Sequence, residues 1–254
     1  MYHLPVKRLN NLTHILGFLV FWPGSLSASF DHSLYEAVLR THVSQGLVDY
    51  KELKEDLRLD QYLEQLKAAD LSDLEGRQDK VAFWINAYNA YTLKLITHYY
   101  PVSSITDIRE AGYESPWKIP WAHIAGKTYT LDQIENAILR PKWPDPRIHY
   151  ALVCAAQSCP QLRNEAYTAE LLDDQFNEQA DWFMRNRNDF DLKKREARLS
   201  KIYEWYAIDF GDNHTQTLQT LVPHAEEKVA ESLKTEAQEW KVSFIEWDWT
   251  LNEQ

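Results

Sequence analysis

The sequence predicts an α+β fold: one mixed domain, helix-rich, with a small and mostly antiparallel sheet. Three observations lead there. Long stretches at 57–68, 79–100, 168–185 and 218–233 read as helices from their apolar spacing. Between them lie short runs of β-forming residues, one with a hairpin pattern turning at Ala125-Gly126. No internal repeat or low-complexity linker interrupts residues 29–254, which therefore read as a single domain.

In chain order, Ser33 is placed to cap a helix through about Val43, with Leu34, Ala37 and Val38 inward. Val48-Asp49-Tyr50 reads as a short extended piece before the charged amphipathic helix Leu57 to Ala68. Asp79 to Tyr100 predicts a long apolar helix stopped by Pro101. Pro116-Trp117-Lys118-Ile119-Pro120-Trp121 cannot be helical and predicts a loop or edge segment. After the hairpin over 122–129, Thr130 caps a helix through about Leu139. Ile148 to Cys154, rich in β-formers and following Pro144-Asp145-Pro146, predicts a strand. Thr168 to Arg185 predicts a helix, Lys201 to Tyr206 a strand or short helix, Leu218 to Leu233 a helix, and Val242 to Trp247 a closing strand.

The N-terminal residues read as an export signal over 1–28: Lys7 and Arg8, an apolar run from Ile15 to Trp22, then Ser25-Leu26-Ser27-Ala28. The rival reading is an uncleaved anchor or a misplaced start. Removing those residues takes away two cations and no acid, so the formal charge moves from −11 to −13. The expectation is a periplasmic or secreted protein without integral membrane association once the signal is gone. An acidic chain repels nucleic acid and anionic lipid, leaving an unidentified small molecule or peptide as the expected partner. Only seven glycines are present, without a GxxxxGK[ST] or GxGxxG string, so no cofactor is called for.

The chemistry-bearing residues concentrate at Arg147 to Pro160, which holds the only two cysteines, Cys154 and Cys159, together with His149. Three uses stay open: a thiol nucleophile, a disulfide, or part of a metal site. In a regular strand His149 and Cys154, five apart, point to opposite faces, so a His149–Cys159 pair across a turn is geometrically easier. A histidine beside a cysteine favours the reactive thiolate. Two sulfurs without a second cysteine pair make a weak zinc signal. Asn86 and Asn89 stand at i and i+3 in an otherwise apolar helix and need partners. They either brace a neighbouring loop or serve a substrate carbonyl or the histidine. Glu135 sits at the edge of an apolar stripe, either as a solvated residue, as a partner of Arg140 or Arg147, or as the holder of an imidazole. His123 is a lone histidine near a turn.

Four strings resemble the domain of unknown function 547 family, in the right order from about residue 75 to 211: Phe83 to Asn89, Leu131 to Arg140, Asp145 to Pro160, and Lys201 through Phe210. The resemblance implies a family core there. It carries over Asn86, Asn89, Glu135, Arg140, Arg147, His149, Cys154, Ser158 and Cys159 as pattern positions. The family pattern has a histidine after the glutamate; here that position is Asn136. These readings give a first expectation of a thiol-dependent hydrolase or acyl-transfer enzyme. Cys159, or less favourably Cys154, would be the nucleophile, His149 the base, and Asn86, Asn89 or Glu135 the orienting and oxyanion groups. The alternatives are a non-catalytic binding domain with a Cys154–Cys159 disulfide and a small metal-binding domain.

Overall fold

The computed structural model describes Met1 and residues 29–254; the expected export signal, Met1 apart, lies outside the described residues. Helix α1 (Ser33–His42) leads through a hairpin of β1 (Val43–Ser44) and β2 (Leu47–Val48) to α2 (Tyr50–Leu53), α3 (Leu57–Ala68) and α4 (Gly76–Tyr99). A second hairpin pairs β3 (Ala122–Ile124) with β4 (Lys127–Tyr129), turning at Ala125-Gly126 as predicted. Helix α5 (Leu131–Gln133) runs into a π-helical segment, Ile134–Leu139, and then α6 (Arg140–Lys142). After α7 (Ile148–Ala151) come α8 (Leu172–Asn186), β5 (Asp189–Asp191), β6 (Glu196–Leu199), α9 (Ile202–Trp205), α10 (His214–Leu221), α11 (Glu227–Glu236) and β7 (Lys241–Phe244). β5 pairs antiparallel with β6, and β7 joins β6 in parallel after the helical crossover. The helix-rich α+β prediction holds.

Local chemistry explains most boundaries. Asp56 opens α3 by accepting from the Arg58 backbone N–H, and Thr130 and Gln133 form a reciprocal capping box at α5. Ser33 is not the cap of α1: Asp31 accepts its N–H, and the helix starts at Ser33 itself. The strand predicted over Ile148 to Cys154 is instead the one-turn helix α7 followed by extended backbone from Leu152. The Asp145 carboxylate takes the Arg147 N–H, and the Asp145 and Pro146 carbonyls take those of Ile148 and His149. Turn closure there outweighs the β preference of the side chains. The helix predicted from Leu218 to Leu233 breaks at Pro223 into α10 and α11, because proline lacks the N–H that would continue it. β5 and β6, short and polar, had no apolar alternation to announce them.

Helix α4 organises the core. From Val81 to Leu93 every residue is buried, so the helix is enclosed on all sides rather than amphipathic. One apolar cluster surrounds α4 and takes in α1 and α3; a second gathers α8 to α11 with β6. Helix α7 joins them, with Ile148 and Ala151 in the first and Tyr150 in the second. Among the described residues no helix is long and apolar enough to cross a membrane.

Candidate functional site

A cleft of about 270 Å³ opens where the two clusters meet. Tyr88 and Leu152 face it from the first cluster and Ile202 from the second. Glu135, His149, Cys154 and Cys159 line it together, so four of the six predicted site residues share one wall system.

Glu135 is carried by the π-helical segment, a local widening of the helix that recurs at functional sites. It is only 6% exposed, and burial raises its carboxyl pKa above the ordinary 4.5, partly opposed by His149, Tyr206 and Arg140. His149, 4% exposed, places Nδ1 3.8 Å from Glu135 Oε1, beyond hydrogen-bond reach but close enough for strong electrostatic coupling. On its other side Nε2–H donates to Asp209 Oδ2 at 2.6 Å. That hydrogen bond, reinforced by Arg140 Nε at 2.6 Å, holds the Asp209 pKa down at about 2. The ionised Asp209 takes the Nε2–H hydrogen bond and leaves Nδ1 facing Glu135. Tyr206 lies against the imidazole, ring centroids 4.0 Å apart, and its phenol and that of Tyr88 interact with the Glu135 carboxyl. The result is a line of four groups, Glu135, His149, Asp209 and Arg140, with the protonatable end on the cleft.

The structure corrects the thiol assignment. Cys154 and Cys159 are bonded to each other, and no hydrogen bond joins either sulfur to His149. A bonded sulfur has no thiolate to offer, so in this state neither cysteine is the nucleophile. The strand geometry behind the His149–Cys159 pairing is also absent, since His149 sits on α7. The disulfide instead closes the turn Ala155-Ala156-Gln157-Ser158. Cys154 N–H points at Cys159 Sγ, and the left-handed backbone of Ala155 (φ 59°) turns the chain. The turn is stitched to the C-terminal segment: Gln157 N–H donates to Thr250, Ser158 N–H to Asp248 and Asn252 N–H to Ala155, while Ser158 Oγ accepts from Asp248 N–H. Those bonds hold Trp247 and Trp249 at the cleft. Thiol counting on native protein is expected to find no free cysteine before reduction and two after. Reduction should also cost about 2 kcal/mol of stability in a denaturant titration, the value for so short a loop.

Asn86 and Asn89 are not oxyanion groups. Each amide exchanges two hydrogen bonds with backbone, Asn86 with the N–H and carbonyl of Tyr167, Asn89 with Ala151 O and Val153 N–H. They anchor the two ends of the stretch between α7 and α8 to the central helix. Arg147 is likewise structural, tied to Asp145, Asp173 and Asn177. His123 is exposed on the β3–β4 hairpin, and Asn136 is exposed at the cleft rim, accepting from Arg140 and donating to Asp132. No group of three or more acids, histidines or cysteines among the described residues is arranged to hold a metal ion, so the metal alternative has no ligand set here.

Sequence reasoning missed Asp209, Tyr206 and the tryptophans Trp117, Trp205, Trp247 and Trp249. Asp209 and Tyr206 do stand in the fourth family-like string, which was the available signal for them.

Residues 71–184 match the family model described as "Protein of unknown function, DUF547". No curated protein and no solved structure matches the chain.

Proposed function

Given that the chain belongs to the DUF547 family, we propose that it is a hydrolase working by proton transfer through Glu135 rather than through a cysteine. The observation that carries this is the buried Glu135 carboxyl, its pKa raised, on the cleft and backed by the His149–Asp209–Arg140 line. A buried acid between titratable partners is costly for stability and typical of acid–base sites. Water adds to the acyl carbon while protonated Glu135 donates to the departing oxygen; the C–O bond breaks and the alcohol leaves. The carboxylate left behind is stabilised by the Tyr206 phenol, the imidazole and the Arg140 charge. The proton shed by the water then returns to the Glu135 carboxylate. The disulfide supports an oxidising compartment, and with it periplasmic or secreted placement.

A thiol-dependent route requires that the disulfide first be reduced, after which Cys159 would face the same cleft. The two routes separate in a screen against esters of simple alcohols, whose leaving alkoxide needs the proton. Glu135→Gln is expected to lower turnover by about 10²–10⁴, the usual scale of general acid–base catalysis. Cys154→Ser/Cys159→Ser should keep turnover within a few-fold. The opposite pattern, serine variants dead and Glu135→Gln active, overturns the carboxyl route in favour of the thiol. A second reading, a binding domain without catalysis, is favoured by the bonded cysteines; retention of a bound ligand with no turnover of any ester by the wild type would select it.

A further inference from the structure

We infer that the ligand of this cleft carries a positive charge on an alkylated nitrogen, as a quaternary ammonium or protonated amine does. The inference rests on the same cleft as the hydrolase reading and names what occupies it.

Six aromatic side chains line the cleft: Tyr88, Trp117, Trp205, Tyr206, Trp247 and Trp249. The ring planes are turned in more than one direction, with Trp205 and Trp249 near-parallel, 5.9 Å apart at 23°. Trp205 and Trp247 are 4.8 Å apart at 53°, Trp247 and Trp249 5.7 Å at 53°, and Trp117 and Trp249 5.8 Å at 64°. Ring faces turned in several directions suit a compact, roughly spherical cation, which gains from each negative π face it meets. A pyranose ring is better served by one broad face. Trp205, 49% exposed, keeps an indole in water at a site where burial would be the ordinary fate of so large an apolar group.

The charges lining the cleft agree. Asp132 and Glu135 are the acids on its wall, and the lining holds no lysine or arginine. The nearest cations are already engaged. Arg140 is bound to Asp209 and Asn136 and covers Tyr206 at 5.0 Å, while Lys118 is bound to Glu114 at 2.5 Å and lies close enough to Asp132 to feel its field. An anionic ligand would meet Asp132 with no lysine or arginine among the lining residues to offset it, whereas an organic cation finds both an acid and several aromatic faces.

The test is calorimetry on the full chain with choline chloride and with 3,3-dimethylbutan-1-ol, which has the same shape and no charge. Choline is expected to bind saturably, and the neutral alcohol at least about tenfold more weakly, the order of a desolvated cation–π site. Trp205→Leu and Asp132→Asn should each weaken choline several-fold without changing the circular dichroism spectrum. Glu135→Gln removes one of the two wall acids and should weaken choline by no more than Asp132→Asn does, whereas it lowers turnover by about 10²–10⁴, so binding and the Glu135-dependent turnover fail separately. Equal affinity for alcohol and choline, binding of cellobiose in preference to choline, or no heat from any of the three overturns the inference.

Discussion

Asn89→Ala is expected to destabilise the protein by about 2–5 kcal/mol, in a range that leaves much of the population unfolded at physiological temperature. The side chain is almost fully buried and supplies both halves of a backbone-like pairing: its amide N–H donates to Ala151 O and its carbonyl accepts from Val153 N–H. Alanine leaves two buried main-chain groups without partners, each costing roughly 1–3 kcal/mol, and opens a cavity beside them. Asn89→Asp keeps the acceptor and the volume but loses the donor and buries a charge, so it should fail as well. Urea titration measures both. The loss of Ala151 and Val153 anchoring also frees the chain on which His149 and Cys154 stand. A variant that unfolds like the wild type would mean that this amide has no structural part.

His149→Ala is the second large effect, about 2–4 kcal/mol from the lost volume and from the hydrogen bond given up by Asp209. Its pH signature has a definite sign. Asp209 has its pKa depressed to about 2, first by the His149 hydrogen bond. The stability it contributes is present above the ordinary aspartate value near 3.8 and is lost as pH falls from there through about 2. In His149→Ala that acid limb should shrink, while Arg140 still holds Asp209 by its own hydrogen bond. Thermal melts of the two proteins between about pH 2 and 6 check it.

How much of this was legible in the sequence follows from the range of the interactions. Helix α3, the β3–β4 turn and the Thr130 cap depend on neighbours within four residues, and the spacing alone placed them. Helix α7 was misread because Ile148, Tyr150 and Val153 favour strands, while the Asp145 and Pro146 carbonyls and the Asp145 side chain settle the turn first. Of the site, Glu135, His149, Cys154 and Cys159 were all marked, with the disulfide and a Glu135–imidazole contact among the alternatives, but Asp209 was not. His149 was paired with sulfur in prospect and with Asp209, 60 residues on, in fact. Trp247 and Trp249 reach the cleft only because the 154–159 turn binds the C-terminal segment, a contact about 90 residues long in sequence that no local pattern encodes.

The account depends on a buried carboxyl with a raised pKa in an aromatic cleft, and its most direct test is the titration of Glu135 itself. In protein labelled with ¹³C at glutamate carboxyls, and with Glu135→Gln to assign the signal, the midpoint should lie above the ordinary 4.5 and move further up in His149→Ala, because the imidazole pulls it down. A midpoint at or below 4.5, unmoved by loss of His149, would contradict the account.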